Sequence, residues 1–213
     1  MLMKNDRKKD FDKEAAAWDK EPRRVKLAHD VADTLMRAIK PTPVMDALDY
    51  GCGTGLVTLC LQPHVRTITG ADSSQGMITV LQEKVKKQSL KNVRAQLVDF
   101  ELGERVTGTF HLIVSSMTLH HVCDPAVLFE EFHALLHPGG YLCIADLDAE
   151  DGSFHGDNTG VFHFGFDRAH VKALFKKTGF SEIEDTTAAV IAKPGDKNGE
   201  RQFAVFLITG KRR

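Results

Sequence analysis

Apolar residues along the chain follow two periods, one typical of buried strands and one typical of helices. Short runs of apolar and β-branched residues predict five strands, at 44–50, 65–71, 92–98, 110–116 and 141–147. Apolar residues at helical spacing predict helices between them, at 23–40, at 54–61, from Ser73 or Ser74 onward, and from Asp124 to Pro138. This alternation predicts an α/β fold, here a doubly wound, Rossmann-like sheet with helices on both faces.

The last part of the chain departs from the alternation. A loop rich in Gly, Asp, His and Phe is expected at 148–166, followed by a helix that Asp167 caps and that ends at Gly179. Two closing strands are expected near 181–191 and 202–209. Because the turn between them is too short for a helical crossover, they should pair antiparallel, giving a mixed sheet of seven strands.

Composition narrows the possible partners. The 213 residues suit a single domain, and the net charge of −1 lacks the basic excess that favours nucleic-acid binding, so no nucleic-acid partner is expected. The apolar runs are too short for membrane insertion, and the charged residues 1–14 lack the apolar stretch of a secretory signal. Four scattered cysteines suit reduced thiols, which favours a cytoplasmic location: Cys52, Cys60, Cys123 and Cys143.

A glycine cluster between the first strand and its helix is the sharpest chemical signal. Gly51, Gly53 and Gly55 follow the pattern G-x-G-x-G, whereas a dinucleotide-binding loop needs G-x-G-x-x-G. Asp49 would repel a pyrophosphate and attract a cationic ammonium group. Both features disfavour a nucleotide-dependent oxidoreductase. Cys52, inside the loop, is interpreted as a small filler and not as a nucleophile.

The motif Asp49-x-Gly51-x-Gly53-x-Gly55 resembles the first motif of the class I S-adenosylmethionine-dependent methyltransferases. Later elements match the same family in order: Asp72 after the second strand, Asp99-Phe100 after the third, and the turn Pro138-Gly139-Gly140. The segment containing Phe11 and Trp18-Asp19 resembles the N-terminal lid of the small-molecule branch, which includes quinone-biosynthesis enzymes. The resemblance covers nearly the whole chain.

The resemblance implies S-adenosylmethionine as the cofactor and S-adenosylhomocysteine as its product. The glycine loop would hold the methionine part, Asp72 the ribose hydroxyls, and Asp99 with Phe100 the adenine. The complete set of implied cofactor-binding residues is Asp49, Gly51, Cys52, Gly53, Gly55, Asp72, Ser73, Met77, Asp99, Phe100, Ser115 and Ser116.

Candidate catalytic residues lie near the carboxyl ends of the fourth and fifth strands. A general base is needed only if the methyl acceptor must lose a proton, and the candidates for this role are His120, His121, His163 and Asp146. A structural role for His120 and His121, or a capping role for Asp146, is an open alternative. Phenylalanines of the 148–166 loop would pack against the acceptor or form the loop's own core. No set of residues has the spacing of metal ligands, so no metal is expected.

These features predict a single methyltransferase domain over residues 1–213. Its parts are an N-terminal lid and helix at 1–40, a cofactor-binding core at 44–147, a substrate-side loop at 148–166, and a closing helix and strand pair at 167–213. The expected acceptor is a small molecule, methylated on O, N or C. Two alternatives stay open, a non-catalytic cofactor-binding regulator and an enzyme that methylates a protein side chain. The sequence does not determine the oligomeric state.

Overall fold

The computed structural model describes residues 10–99, 103–194 and 199–213. Seven strands form one sheet in the order β3-β2-β1-β4-β5-β7-β6. The strands are β1 Asp46–Tyr50, β2 Thr67–Asp72, β3 Val93–Leu97, β4 Phe110–Ser116, β5 Leu136–Leu147, β6 Phe180–Pro194 and β7 Glu200–Arg212. The helices are α1 Phe11–Ala15, α2 Pro22–Ile39, α3 Leu56–Leu61, α4 Gln75–Lys87, α5 Pro125–Leu135 and α6 Arg168–Lys177. The predicted α/β fold with a mixed seven-stranded sheet is confirmed.

Strand direction follows the connections. The first five strands run parallel to one another, with helices crossing over between most of them. The closing pair is antiparallel, as predicted, but β7 inserts between β5 and β6 and pairs antiparallel with both. The carboxyl ends of β1, β2, β3, β4 and β5 therefore meet at one edge of the sheet, which is where open α/β sheets bind ligands.

Helices cover both faces of the sheet, and each face has its own core. On one face α2, α3 and α4 bury Leu35, Leu61 and Leu81 against the strands. On the other face α5 and α6 bury an aromatic core that includes Phe129 and Phe175. Because the sheet is covered on both sides, β4 is apolar except for His111 and the two serines at its end, Ser115 and Ser116.

Side-chain caps place the beginnings of three helices. Ser74 Oγ accepts a hydrogen bond from the backbone N–H of Met77 at 3.1 Å, and Asp124 Oδ1 accepts one from Ala126 at 3.0 Å. Asp167 Oδ1 accepts from the N–H of His170 at 2.9 Å, so the predicted cap of α6 is confirmed. Each cap satisfies a backbone donor that the first helical turn leaves unpaired.

Several predicted element ends were wrong. The helix expected to begin at Thr54 begins at Leu56, because the preceding residues form the glycine turn. The helix expected to run to Pro138 ends at Leu135, and the chain enters β5 early because Leu136 pairs with Phe110 before a register shift. The closing strands extend further than expected, over 180–194 and 200–212.

Among the helices that the described residues form, none combines the length and the apolar character needed to cross a membrane.

Candidate functional site

A cavity of about 880 Å³ opens at the carboxyl edge of the sheet. One end is formed by the glycine loop and the ends of β1, β2 and β3, and the other by the turn after β4, α1, the start of α2 and the 148–166 loop. Its volume lies near the upper end of the range for small-molecule sites, roughly 300–1,000 Å³. The cavity is therefore large enough for a cofactor and a second small molecule.

The glycine loop has a backbone conformation that side chains disfavour. Gly51, Gly53 and Gly55 have φ angles of +71°, +54° and +82°, all in the left-handed region. The N–H groups of Gly51 and Cys52 both donate to the carbonyl oxygen of Ala71, at 2.8 and 3.1 Å. These bonds fix the loop to the end of β2.

Asp72 joins the two elements that flank the cavity. Its Oδ2 accepts from the N–H of Gly53 at 2.8 Å, and its Oδ1 accepts from the N–H of Ser74 at 2.8 Å. A carboxylate accepts hydrogen bonds through both of its oxygens, which suits it to two neighbouring hydroxyl groups of a ligand. Asp72 lines the cavity, where the resemblance places the ribose.

Asp49 lies beneath the glycine loop and is almost fully buried, at 1% exposure. Its Oδ2 accepts from the hydroxyl of Thr58 at 2.5 Å. Burial raises the pKa of its carboxyl to about 6; the Thr58 hydrogen bond opposes this shift and the charge of Asp72 adds to it. Above pH 6 the buried Asp49 carboxylate is mostly ionised, so its negative charge favours a cation at this end of the cavity.

Cys52 has the environment of a packing residue. The thiol is buried, and this burial, together with the charges of Asp49 and Asp72, raises its pKa far above the ordinary value. A thiol of this kind stays protonated and is a poor nucleophile, in agreement with its interpretation as a small filler.

Two aspartates tie the N-terminal segment to the glycine-loop end of the cavity. Asp12 Oδ1 accepts from the N–H of Gly76 at 2.8 Å and from the hydroxyl of Ser74. Asp19 Oδ1 accepts from the hydroxyl of Thr54 at 2.6 Å and also pairs with the ammonium group of Lys84. This segment, called a lid in the sequence analysis, thus lies over the glycine loop and the start of α4.

The remaining predicted cofactor residues fall into three groups. Ser73, Met77, Asp99 and Ser116 line the cavity. Gly55 and Ser115 do not belong to the described lining; a Cβ on Gly55 would lie 2.4 Å from Leu81 Cδ1, so this glycine serves packing against α4. Ser115 is 1% exposed, and its hydroxyl has no hydrogen-bond partner within the described residues. Phe100 lies outside the described residues.

His120 and Asp146 form a buried pair at the other end. The side chains are 1% and 0% exposed, and His120 Nδ1 lies 2.6 Å from Asp146 Oδ1. Burial opposes ionisation of Asp146, but the charge and hydrogen bond of His120 and the N–H groups of Leu147 and His120 hold the pKa of its carboxyl below the ordinary value. His120 lines the cavity and Asp146 lies behind it.

His121 and His163 differ in position although both were predicted as catalytic candidates. His121 lines the cavity, and its Nδ1 lies 2.7 Å from the carbonyl oxygen of Gly160. His163 is not among the described residues of the lining, and its Nε2 donates to the carbonyl oxygen of Val122 at 3.0 Å. The His163 ring also packs on Phe166, and a catalytic role for His163 stays a prediction.

The aromatic residues of the 148–166 loop divide between the two roles left open by the sequence. Phe154 and Phe162 line the cavity, whereas Phe166 is buried in the core beneath α6. Phe164 is 45% exposed and is not among the residues that line the cavity.

Sequence reasoning missed several residues at this end of the cavity. His155 lies next to His120, with ring centroids 5.0 Å apart, and the basic residues Arg23, Arg24 and Lys193 line the same region. Burial and the nearby charges of Arg23 and Arg24 lower the pKa of the Lys193 ammonium group. No local motif marks these residues, because they come from α2, the loop and β6, which only the fold brings together.

A sheet of this order, with a glycine loop after β1 and carboxylates after β2 and β3, defines the Rossmann-like class of methyltransferase folds. The family model described as a methyltransferase domain matches residues 23–185. The chain belongs to this methyltransferase family, which confirms the resemblance to class I S-adenosylmethionine-dependent methyltransferases and the cofactor expected for the class.

Individual relatives agree with this assignment. The chain is 34% identical over 155 residues to an uncharacterized methyltransferase of Schizosaccharomyces pombe, covering 66% of this chain and 55% of that protein. It is 34% identical over 101 residues to a ubiquinone biosynthesis O-methyltransferase of Coxiella burnetii, covering 47% and 43%. The chain thus spans about half the length of these curated relatives.

A solved structure shares the fold. A Haloferax volcanii protein, determined in complex with the Trm112 methyltransferase activator, superimposes with a TM-score of 0.75 at 17% identity, covering 95% of this chain and 97% of that one.

Proposed function

We propose that this chain transfers a methyl group from S-adenosylmethionine to a small aromatic acceptor that carries a hydroxyl and an anionic group. The observation that carries the proposal is the cavity, which runs without interruption from Asp72 and the glycine loop to the aromatic and basic residues beneath the N-terminal segment. A donor and an acceptor bound at its two ends would meet near the turn that follows β4.

Methyl transfer mainly requires that the protein align the methyl donor with the acceptor atom. A lone pair of the acceptor oxygen forms the bond to the methyl carbon, the carbon–sulfur bond breaks, and its electron pair stays on sulfur as a neutral thioether. The proton of the acceptor hydroxyl is released to water. Holding both reactants in line and excluding water supplies much of the rate enhancement. We propose that His120 and His121 hold the reactive oxygen of the acceptor, since both line the cavity at this point.

The chemical class of the methyl acceptor is inferred from the residues that line its end of the cavity. Trp18, Phe154 and Phe162 line this end with aromatic rings, and Arg23, Arg24 and Lys193 add positive charge. The cations of Arg24 and Lys193 stack on Trp18 and Phe154, each 3.6 Å from the ring centroid, and Arg23 and Arg24 pair with Glu21 and Glu14. The similarity to an O-methyltransferase of ubiquinone biosynthesis supports an aromatic hydroxyl as the accepting group.

The proposal is tested by turnover. Purified chain, S-adenosylmethionine and a panel of phenols with and without a carboxylate should yield S-adenosylhomocysteine and methyl ethers, fastest with the carboxylated phenols. Lys193→Met should raise KM for a carboxylated phenol by about tenfold, the effect of one partly buried charge at about 1.4 kcal/mol, and leave KM for the neutral phenol unchanged.

Lys176→Met, on the exposed side of α6, is the matched control and should change neither KM. Cofactor binding without turnover of any acceptor would favour the non-catalytic regulator. Turnover on peptides but on no phenol would favour a protein substrate.

Cofactor binding should depend on pH through Asp49. The carboxyl has a raised pKa of about 6 in the free chain, so it is ionised above pH 6, and only the ionised form attracts the cationic ammonium group of the ligand. The affinity for S-adenosylhomocysteine should therefore rise about tenfold between about pH 5 and pH 7, measured by isothermal titration calorimetry.

Two controls isolate Asp49. In Asp49→Asn the affinity should be weak and flat over this interval. 5′-Methylthioadenosine, which lacks the amino-acid group, should bind the wild-type chain with little pH dependence. An equal fall for both ligands at low pH would assign the effect to another group.

A further inference from the structure

Three histidines converge at the acceptor end of the cavity. His120 and His121 belong to the 3-10 turn Leu119–His121 after β4, and His155 comes from the 148–166 loop. One ring nitrogen of each lies within 4.8 Å of the others, and the ring of His120 is 4.2 Å from that of His121 and 5.0 Å from that of His155, between centroids. Nitrogen ligands of a tetrahedral zinc ion are about 3.4 Å apart at bond lengths near 2.0–2.1 Å, so binding would draw the three nitrogens together by up to about 1.4 Å.

Hydrogen bonds orient two of the rings. Asp146 accepts from the backbone N–H groups of His120 and Leu147, so its carboxylate is held as an acceptor for Nδ1–H of His120. The carbonyl oxygen of Gly160 can only accept, so Nδ1 of His121 is its donor. In the neutral imidazoles of His120 and His121, Nε2 therefore carries the lone pair that can bind a metal. The opposite ring nitrogen, Nδ1, donates to the carboxylate of Asp146 in His120 and to the carbonyl oxygen of Gly160 in His121.

The surroundings of the cluster suit an ion with an open coordination position. The three histidines line the cavity, whereas Asp146 lies buried behind His120 and supplies a negative charge to the set. In catalytic zinc sites, three protein ligands such as imidazoles bind the metal and the fourth coordination position is left to solvent or substrate. Imidazole also suits other late transition metals.

We propose that His120, His121 and His155 bind one divalent transition-metal ion, zinc or a metal of similar ligand preference, with its remaining position facing the cavity. Metal binding at this site does not require the proposed methyl transfer. If both hold, His120 and His121 would hold the acceptor oxygen through the ion, and a hydroxyl bound there would lose its proton to water more readily, giving the alkoxide or phenolate that attacks the methyl carbon.

Cobalt(II) is the probe, because its visible absorption reports tetrahedral coordination. The tag-free chain, stripped with a chelator, should bind one equivalent of Co²⁺ with new visible bands, and Zn²⁺ should displace it. His155→Ala and His121→Ala should each weaken Co²⁺ binding at least tenfold, and Asp146→Asn should weaken it about 10- to 100-fold by releasing the His120 ring.

His170→Ala is the matched control, since His170 is exposed on α6 away from the cluster. It should leave Co²⁺ binding unchanged. Absence of saturable binding, or equal losses in His155→Ala and His170→Ala, would overturn the metal site. Thermal unfolding with S-adenosylhomocysteine on the same samples separates the two proposals: a ligand shift without cobalt binding rejects the metal site alone, and cobalt binding without a ligand shift rejects the proposed function alone.

Discussion

Asp72→Ala is expected to reduce the affinity for S-adenosylhomocysteine by at least about 100-fold. Without the Asp72 carboxylate, the ribose hydroxyls of the ligand would lose two charge-assisted hydrogen bonds, each worth about 1.5–3 kcal/mol. The same substitution removes the acceptor for the N–H groups of Gly53 and Ser74, so the glycine loop also loses its anchor. Both effects lower the affinity for S-adenosylhomocysteine.

Thermal unfolding measures this loss. At 100 times its dissociation constant, the ligand should stabilise the wild-type chain by about 2.7 kcal/mol, which raises the midpoint by about 5–10 °C. At the same ligand concentration, Asp72→Ala should be stabilised by about 0.4 kcal/mol or less, a shift of about 1 °C.

Asp46→Ala provides the control for a carboxylate that serves the fold alone. Asp46 lies at the opposite end of β1, where Arg66 and Thr67 bind it; the hydrogen bond from Arg66, which burial partly opposes, lowers the pKa of its carboxyl to about 2. Its replacement should lower the unfolding midpoint without changing the ligand shift. If Asp72→Ala kept the full ligand shift, the ribose would not lie at the end of β2.

Gly51→Ala should destabilise the chain by about 3 kcal/mol and abolish cofactor binding. A Cβ at this position would lie 2.1 Å from Thr118 Oγ1 and 2.4 Å from Thr118 Cγ2, and φ is +71°. Overpacking costs about 1–3 kcal/mol, and a left-handed conformation costs alanine about 1–2 kcal/mol more. The expected fall in the unfolding midpoint is about 6–12 °C, measured by calorimetry.

Gly139→Ala separates the two causes. Gly139 has φ +80°, but a Cβ there would meet nothing within 4 Å. This variant should show the conformational cost alone, about 1 kcal/mol, and should bind S-adenosylhomocysteine normally. The double variant Gly51→Ala with Thr118→Gly should recover the difference between the two single variants. Equal stability of Gly51→Ala and Gly139→Ala would mean that Thr118 yields to the new methyl group.

Two hydrogen bonds connect the N-terminal segment to the glycine-loop end of the cavity. Asp12 and Asp19 hold the N-terminal segment on Ser74 and Thr54, the two residues that adjoin Asp72 and the glycine loop. The N-terminal segment is thus fixed to the same short stretch of backbone that carries Asp72 and the glycine loop.

Local physics carried most of the fold prediction. The strands from β1 to β5 were recognisable because buried parallel strands need apolar runs, and helix beginnings at Ser74, Asp124 and Asp167 because short polar side chains satisfy the first backbone donors. Ends such as Leu135 were missed because pairing of Leu136 with Phe110 is a long-range contact that no local pattern encodes. The insertion of β7 between β5 and β6 was missed for the same reason.

The sequence by itself determined the glycine-loop end of the candidate site. Gly51, Gly53 and Asp72 fall within one strand–helix–strand unit, so their spacing along the chain fixes their spacing in the fold. Only the tertiary structure decided the acceptor end. His155, Arg24 and Lys193 come from a loop, α2 and β6, and they meet His120 because the sheet folds these distant segments over one edge. Residues that share a supersecondary unit can be recognised from local spacing, whereas residues joined by packing across the sheet cannot.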